Sequence, residues 1–360
     1  MINCNTTFGK LKHVIVGREL EINKRLIDFT FKNFFKENID GNYGLYNSRH
    51  EIYNISPEIL QKRIEQLDNL ATTLSNLGIK VDRPDRVIGL KKIKTLTYET
   101  EASSANNVRD LTLVYNNTIV ETPICLRNRV FENLNLHTIF KNVFDNGNGG
   151  RWIKAPTTHL IESTYDLKDW KDERDFTNIN PKLEMAIDAP NFLTIGKDVI
   201  VNVATDIQYL GYKWVESLFP ESKFHVIKCA DSHIDGELVC LRPGTFLLNP
   251  KFIEIKEMLP EKFKKWNFII PEDLTEQLDV RGMTDIDIQL ASSRGMDINV
   301  LSLDENTVVV NKKAIGVKKA LEENGFDIIE VELDNGEIFA GGIHCSTLDL
   351  IREDEYIEYV

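Results

Sequence analysis

The sequence has little that would suit a membrane, secreted or nucleic-acid-binding protein. No apolar run approaches the roughly 18 residues of a membrane-spanning helix. The first residues lack the basic and apolar stretches of a secretory signal. Five cysteines in 360 residues are few and odd in number, so we expect reduced thiols in the cytoplasm. The net charge of -13 disfavours binding to nucleic acid.

Common cofactor motifs are also absent. There is no P-loop, no GxGxxG and no HExxH, and the cysteines lack metal-ligand spacing, so we expect no cofactor and no metal. With 42% hydrophobic and 28% charged residues, the chain has an ordinary globular composition. No linker rich in glycine, serine or proline divides it, which favours one domain over residues 1–360.

The pattern of secondary structure repeats along the chain. A long amphipathic helix is predicted over residues 56–77, between Ser56 and the stop at Gly78. Its buried stripe is expected to comprise Leu60, Ile64, Leu67, Leu70, Leu74 and Leu77. In the second half, a hairpin, a helix and a strand recur three times, with the helices expected over residues 208–219, 252–264 and 312–324. The first half holds two further candidate units. The predicted hairpins pair residues 111–115 with 118–121, 192–195 with 199–203, 237–241 with 245–248, and 299–303 with 307–310. Five units suggest an α/β fold closed into a fivefold propeller, although an irregular α+β domain fits the pattern equally well.

Cys345 stands in an unusual setting, directly after Gly341-Gly342-Ile343-His344. The two glycines let the backbone approach a ligand closely just before the thiol. A lone cysteine is more often a small buried apolar residue, and that interpretation stays open. His344 would point to the face opposite Cys345 if this segment is extended.

Polar residues at strand entries give four more candidates. His233 and Asp235 would project to the same side if their segment is extended, which suits acid–base work beside a cationic substrate. A hydrogen-bonded surface loop is the ordinary alternative. Asp110 and Asp188 each precede a predicted hairpin, where turn chemistry is the usual explanation. In a closed ring of repeats, all of these positions would converge with Cys345 on the axis.

The motifs around these candidates resemble the arginine-dependent amidinotransferases. Matching segments run nearly end to end: residues 11–18, Arg83-Pro84-Asp85, Arg109-Asp110, His233-Ile234-Asp235, Ala291-Ser292-Ser293-Arg294 and residues 341–345. The resemblance implies a fivefold α/β propeller and a homodimer. It also implies that an amidino group passes from L-arginine through an amidino-cysteine to an amine acceptor, releasing L-ornithine.

The resemblance assigns roles to the candidates as well. Cys345, His233 and Asp188 would form a catalytic triad, and Asp110 and Asp235 would bind the guanidinium. The carboxylates suit a group that stays protonated at any biological pH, and a thiolate suits its electrophilic carbon.

Two departures from the family pattern concern the acceptor. Phe252 stands where the glycine enzyme has an arginine that pairs with a substrate carboxylate, and Ser346 stands where that enzyme often has tryptophan. We therefore expect a longer primary amine, such as lysine, ornithine or a natural-product amine, to be preferred over glycine. Arg242 is a candidate replacement for the missing arginine, with neutral hydrogen bonds from Ser292 and Ser293.

Two other functions are compatible with such a scaffold. An arginine deiminase-like hydrolase would form the same intermediate and release citrulline and ammonia. A non-enzymatic translation factor of the same fold would leave Cys345 inert.

Overall fold

The structure is a computed structural model that describes residues 2–34, 51–85, 92–146, 150–164, 176, 179–180, 182–228, 233–274 and 296–359. It has mixed α/β content. Ser292 and Ser293 lie outside the described residues.

The described strands include five three-stranded sheets with one pairing scheme. In each sheet, the middle strand pairs antiparallel with one neighbour and parallel with the other. The sheets, each given in pairing order, are Thr347–Glu353, Lys10–Val16 and Lys80–Asp82; Thr112–Tyr115, Thr118–Glu121 and Arg151–Lys154; Phe192–Ile195, Asp198–Asn202 and Lys223–Ile227; Leu238–Arg242, Thr245–Leu248 and Asn267–Ile269; and Leu301–Ser302, Thr307–Asn311 and Asp327–Val331. The four predicted hairpins are confirmed, with ends shifted by a few residues.

The first sheet joins the two ends of the described chain. Its middle strand, Lys10–Val16, pairs with the last strand, Thr347–Glu353, so that Val16 lies opposite Thr347. Since Cys345 precedes that last strand by two residues, the pairing brings it beside residues near the start of the chain. Gly17 donates its backbone N–H to the carbonyl oxygen of Ser346 at 2.7 Å.

Helices connect the strands. Their bounds are Phe29–Phe34, Pro57–Asn76, His137–Asn146, Asp206–Ser217, Ile255–Met258, Glu261–Lys264, Ile315–Glu323 and Gly336–Phe339. Two-stranded sheets pair Lys24–Ile27 with Glu51–Asn54 and Lys92–Lys94 with Glu99–Glu101. None of the helices in the described part of the chain is long and apolar enough to cross a bilayer.

The helix Pro57–Asn76 matches its prediction and packs on the first sheet. It begins with Pro57 in the first turn, as expected from the fixed φ of proline, and Gly78 follows it with φ of +80°. Leu67 and Leu70 belong to the core cluster that also holds strand residues Val14 and Val16. Burying each such side chain contributes about 1.5–3 kcal/mol.

Two details of the predicted helical pattern are wrong. Leu77 was expected in the buried stripe but is 48% exposed, because it follows the last helical turn. The helix expected over residues 252–264 is broken into the short helices Ile255–Met258 and Glu261–Lys264. Pro260 lies between them, and a proline in a helix interior lacks the N–H and clashes with the preceding turn.

Candidate functional site

Cys345 lies in a tight turn between the helix Gly336–Phe339 and the strand Thr347–Glu353. A Cβ on Gly341 would stand 2.5 Å from the amide of Asn107, and one on Gly342 would stand 2.8 Å from Oδ1 of Asn299. Both distances are shorter than van der Waals contact. The glycine pair therefore lets the turn approach two asparagine side chains closely.

A single carboxylate oxygen organises the surroundings of the thiol. Oδ2 of Asp235 lies 3.3 Å from Sγ of Cys345, 2.7 Å from Nδ1 of His344 and 3.1 Å from Nδ2 of Asn299. Burial would raise the pKa of Asp235, but the hydrogen bond from Nδ1 of His344 lowers it to about 2. Burial and the charge of Arg109 lower the pKa of His344, so the neutral imidazole donates this hydrogen bond at neutral pH. Asp235 is therefore a carboxylate at any pH at which the protein is assayed.

This geometry corrects two expectations that rested on extended backbone. His344 and Cys345 were expected to face opposite sides, but the turn directs both to Asp235. His233 and Asp235 were expected to project to the same side if their segment is extended. Instead, a short 3-10 helix begins at Ile234, although the charges of the two side chains still act on each other.

The environment keeps Cys345 protonated in the empty site. Burial raises the pKa of its thiol well above the usual value, and the charges of Asp235 and Asp110 raise it further. The amide of Asn299 opposes this shift, since its Nδ2 donates to Sγ at 3.3 Å. Conversion to the thiolate thus requires a compensating positive charge.

Asp188 and His233 form a second pair. Nε2 of His233 lies 3.3 Å from Oδ2 of Asp188, while Oδ1 of Asp188 accepts the backbone N–H of Cys125 at 3.2 Å. Burial alone would lower the pKa of His233. The hydrogen bond to Asp188 and the charges of Asp110 and Asp188 instead raise it to about 9. His233 is therefore an imidazolium at neutral pH.

Asp110 lies in the turn before Thr112–Tyr115, and backbone hydrogen bonds connect this turn to the segments that contain Asp188 and Cys345. Its carbonyl oxygen accepts the backbone N–H of Ala189 at 2.8 Å, and the adjacent Arg109 donates its backbone N–H to the carbonyl of Cys345 at 3.2 Å. Burial raises the pKa of Asp110, and Arg129 opposes that shift. Oδ2 of Asp110 lies 2.5 Å from Nη1 of Arg129. Its Oδ1 is buried without a hydrogen-bond partner among the described residues.

The five central candidates thus occupy neighbouring segments. Cys345 contacts Asp235, His233 contacts Asp188, and backbone hydrogen bonds link the Asp110 turn to both groups. The charge of Asp110 acts on both Cys345 and His233. Together these groups offer a nucleophile, a proton donor and carboxylates for a cation.

Arg242 is not brought into this group. Its guanidinium lies over the ring of Phe326, 4.2 Å from the centroid, and donates to the carbonyl of Asn324 at 3.1 Å. Arg242 is the last residue of the strand Leu238–Arg242. The four residue steps from Leu238 to Arg242 span about 13 Å, and Leu238 is the end of the strand that follows Asp235. The expectation that Arg242 binds a substrate carboxylate is therefore not retained.

The structure adds Asn299, which the sequence reasoning did not select. Besides donating to Sγ of Cys345 and to Asp235, Asn299 accepts the backbone N–H of Cys345 at 3.1 Å. It stands two residues before the strand Leu301–Ser302, as Asp110 stands two residues before Thr112–Tyr115. This shared position, two residues before a strand, could have indicated Asn299 from the sequence.

Two buried arginines were also missed. Arg63, on the helix Pro57–Asn76, donates to the carbonyl of Gly341 at 3.1 Å and to Oγ of Ser346 at 2.9 Å, so it braces the cysteine turn. Arg129 holds Asp110. A basic residue within an otherwise buried helical stripe could have indicated Arg63. Glu132, three residues after Arg129, is a local partner, but the contact with Asp110 could not be predicted because the two residues are 19 positions apart in the sequence.

Metal ligation has no obvious place in the described part of the chain. No three His, Cys, Asp or Glu side chains are grouped there so that they could hold a metal ion.

Comparison with known proteins gives a consistent set of relatives. The chain is 30% identical over 298 residues to inosamine-phosphate amidinotransferase 1 of Streptomyces glaucescens, covering 82% of this chain and 81% of that protein. It is 29% identical over 335 residues to L-arginine:L-lysine amidinotransferase of Pseudomonas savastanoi pv. phaseolicola, covering 88% and 87%. Mitochondrial glycine amidinotransferase of Xenopus tropicalis is 28% identical over 363 residues, covering 97% and 82%.

A solved structure agrees with these relatives. The inosamine-phosphate amidinotransferase of Streptomyces griseus superposes with a TM-score of 0.82 at 25% identity, covering 100% of this chain and 99% of that one. No protein-family model matches the chain.

Proposed function

The chain belongs to the amidinotransferases, and on that premise we propose that Cys345, His233 and Asp188 are its catalytic residues and that Asp110 and Asp235 bind the guanidinium. The protein is a transferase that moves an amidino group from arginine to an amine acceptor. Its relatives favour transfer over hydrolysis, and the non-enzymatic alternative is not retained. The observation that carries the site assignment is the contact of Cys345 with Asp235, within the field of Asp110, whose Oδ1 has no hydrogen-bond partner in the described part of the chain.

Substrate binding supplies the charge that the thiol requires. A guanidinium placed between Asp110 and Asp235 offsets the two carboxylates that disfavour a thiolate at Cys345. The reactive complex then holds a thiolate and a protonated His233. It has one proton fewer than the empty site at neutral pH, in which both groups are protonated.

In the first stage, Sγ of Cys345 attacks the guanidinium carbon. A bond forms between sulfur and carbon, and the bond from that carbon to the δ-nitrogen breaks. His233 gives its proton to the departing δ-nitrogen, so ornithine leaves with a neutral amine and an amidino group remains on the sulfur. Asp188 holds the imidazole and stabilises its charged form.

In the second stage, the neutral amine of the acceptor attacks the amidino carbon. The carbon–sulfur bond breaks, His233 takes the proton that the amine loses, and the thiolate of Cys345 is restored. This cycle is a ping-pong mechanism, because ornithine leaves before the acceptor reacts.

The acceptor is proposed to be a primary amine longer than glycine. Phe252, at the position of the family's carboxylate-binding arginine, packs against the hydrophobic cluster that contains Ile234. The preceding Asn249 donates to the carbonyl of Gly236 at 3.1 Å, which anchors this segment beside the site. An apolar ring there cannot pair with the carboxylate of glycine, but it can contact the methylene groups of a longer amine.

The five sheets with one pairing scheme support a closed fivefold propeller, with the candidate site near its axis. A single domain over residues 1–360, a homodimer and a cytoplasmic location remain predictions.

Products identify the reaction. The protein is incubated with L-arginine and, separately, glycine, lysine, ornithine and a set of longer amines, and products are identified by mass spectrometry. We expect ornithine and an amidinated longer amine, with little guanidinoacetate, and neither product from Cys345→Ser. Citrulline with ammonia in place of ornithine would indicate hydrolysis. A kcat/KM for glycine above that of every longer amine would refute the acceptor proposal.

A further inference from the structure

Asp110 is held by a buried arginine whose own charge is matched by a second carboxylate. Nη1 of Arg129 lies 2.5 Å from Oδ2 of Asp110. Nε and Nη2 of Arg129 donate to the two carboxylate oxygens of Glu132 at 2.7 and 2.8 Å. Asp110 is 1% exposed and Glu132 is 4% exposed, so little water screens these three groups.

The charges of this cluster decide what it can attract. Asp110 and Arg129 alone would form a neutral pair, which attracts a cation much less than a carboxylate with its full charge does. Glu132 adds one negative charge through a two-point hydrogen bond, the geometry in which a carboxylate pairs best with a guanidinium. When Asp110 and Glu132 are both ionised, the cluster of Asp110, Arg129 and Glu132 therefore carries one net negative charge.

The free acceptor of the cluster lies at Asp110. Its Oδ1 has no hydrogen-bond partner among the described residues, whereas both oxygens of Glu132 are occupied by Arg129. The orientation of Arg129 is fixed further by a 3.0 Å hydrogen bond from Nη2 to the carbonyl of Asn107. A guanidinium in the site would thus contact Asp110 directly. Glu132 would affect it only by neutralising the charge of Arg129.

We infer that Glu132 is a positioning residue that makes the site select a guanidinium over its uncharged isostere, by neutralising Arg129 and leaving the charge of Asp110 available to the substrate. This inference rests on the proposed function. Although burial by itself lowers the pKa of Arg129, Glu132 and Asp110 hold it well above its usual value, so Arg129 stays charged.

The test compares two ligands that differ in charge and little in shape. L-arginine and L-citrulline are titrated into the Cys345→Ser protein at pH 8 by calorimetry. Burial raises the pKa of Glu132 to about 7, although Arg129 opposes the shift, so Glu132 is ionised at pH 8. We expect Glu132→Gln to weaken arginine binding roughly 10- to 100-fold while citrulline binding changes less than about threefold, since only a charge is removed.

Three further variants separate charge from structure. Glu132→Asp keeps the charge and should retain most of the preference for arginine. Arg129→Gln combined with Glu132→Gln removes both charges and should recover most of the preference lost in Glu132→Gln. Glu121→Gln removes another buried carboxylate, one paired with His137 and Lys154, and should leave the preference unchanged.

Failure of the inference is distinguishable from failure of the proposed function. If arginine does not bind to the Cys345→Ser protein at all, the proposed function is wrong. If arginine binds and Glu132→Gln weakens both ligands equally, or neither, the inference is wrong. Should Glu132→Gln fail to fold, a loss of preference in the folded Glu132→Asp protein as large as 10-fold would also overturn it.

Discussion

Sγ of Cys345 lies 3.3 Å from Oδ2 of Asp235, so the proposed nucleophile donates its hydrogen bond to a buried carboxylate. This contact stabilises the thiol and disfavours the thiolate. A cation that binds Asp235 offsets the negative charge that raises the pKa of Cys345. Activation of the nucleophile is therefore coupled to the presence of substrate.

Replacing Asp235 by asparagine separates these two effects. Asp235→Asn should lower kcat/KM for arginine more than about 100-fold, because a desolvated charge pair loses one partner. The same change should speed alkylation of Cys345 by iodoacetamide at pH 7, since a charge that raises the thiol pKa is gone. Peptide mass spectrometry follows the alkylation.

Asp327→Asn is the control, because Asp327 is an exposed carboxylate on the strand Asp327–Val331. It should leave both rates unchanged. Fast alkylation of Cys345 in the unmodified empty enzyme at pH 7 would argue against activation by substrate.

The dependence of kcat/KM on pH follows from the two protonated groups. At pH 7 the empty site holds the proton of Cys345 and that of His233, whose pKa is about 9, and the reactive form has lost one of them. The logarithm of kcat/KM for arginine should therefore rise with pH from pH 7, where ionisation of Glu132 adds to the slope, by about one unit per pH unit above pH 8, and level off near pH 9. Initial rates at low arginine concentration measure this profile. A profile that falls over the same interval would exclude the protonation states assigned here.

Asn299 should act on the thiolate in the opposite sense to Asp235. Its amide donates to Sγ and lowers the pKa of Cys345, so Asn299→Ala should reduce kcat roughly 100-fold and slow alkylation. Stopped-assay kinetics give kcat, and Asn306→Ala at the exposed hairpin tip serves as the matched control. Equal activity of Asn299→Ala and Asn306→Ala would show that Asn299 does not stabilise the thiolate of Cys345.

Local signals in the sequence predicted the hairpins well. Gly196 takes φ of +64° in the turn between Phe192–Ile195 and Asp198–Asn202, a conformation that glycine adopts without strain. Such turns depend on two or three neighbouring residues, so they can be predicted without knowledge of the tertiary structure. The partner of Lys10–Val16 could not be predicted in this way, since it is the last strand of the described chain.

The candidate site was predicted through its reactive residues and not through the residues that hold them. A thiol after two glycines and a histidine near an aspartate are unusual enough to be noticed in isolation. His344 was misplaced because the backbone at Cys345 turns instead of extending. Arg242 was misplaced because its neighbours, Phe326 and Asn324, come from a distant segment that the sequence does not link to it.

Trapping the covalent intermediate tests whether Cys345 is the nucleophile that receives the amidino group. The protein is incubated with L-arginine alone, quenched in acid, digested and examined by peptide mass spectrometry, with Cys345→Ser as the control. We expect one amidino group on the peptide that contains Cys345, together with one equivalent of ornithine, and no adduct in the control. An adduct on Cys240 or another cysteine, or ornithine released without any adduct, would contradict this expectation.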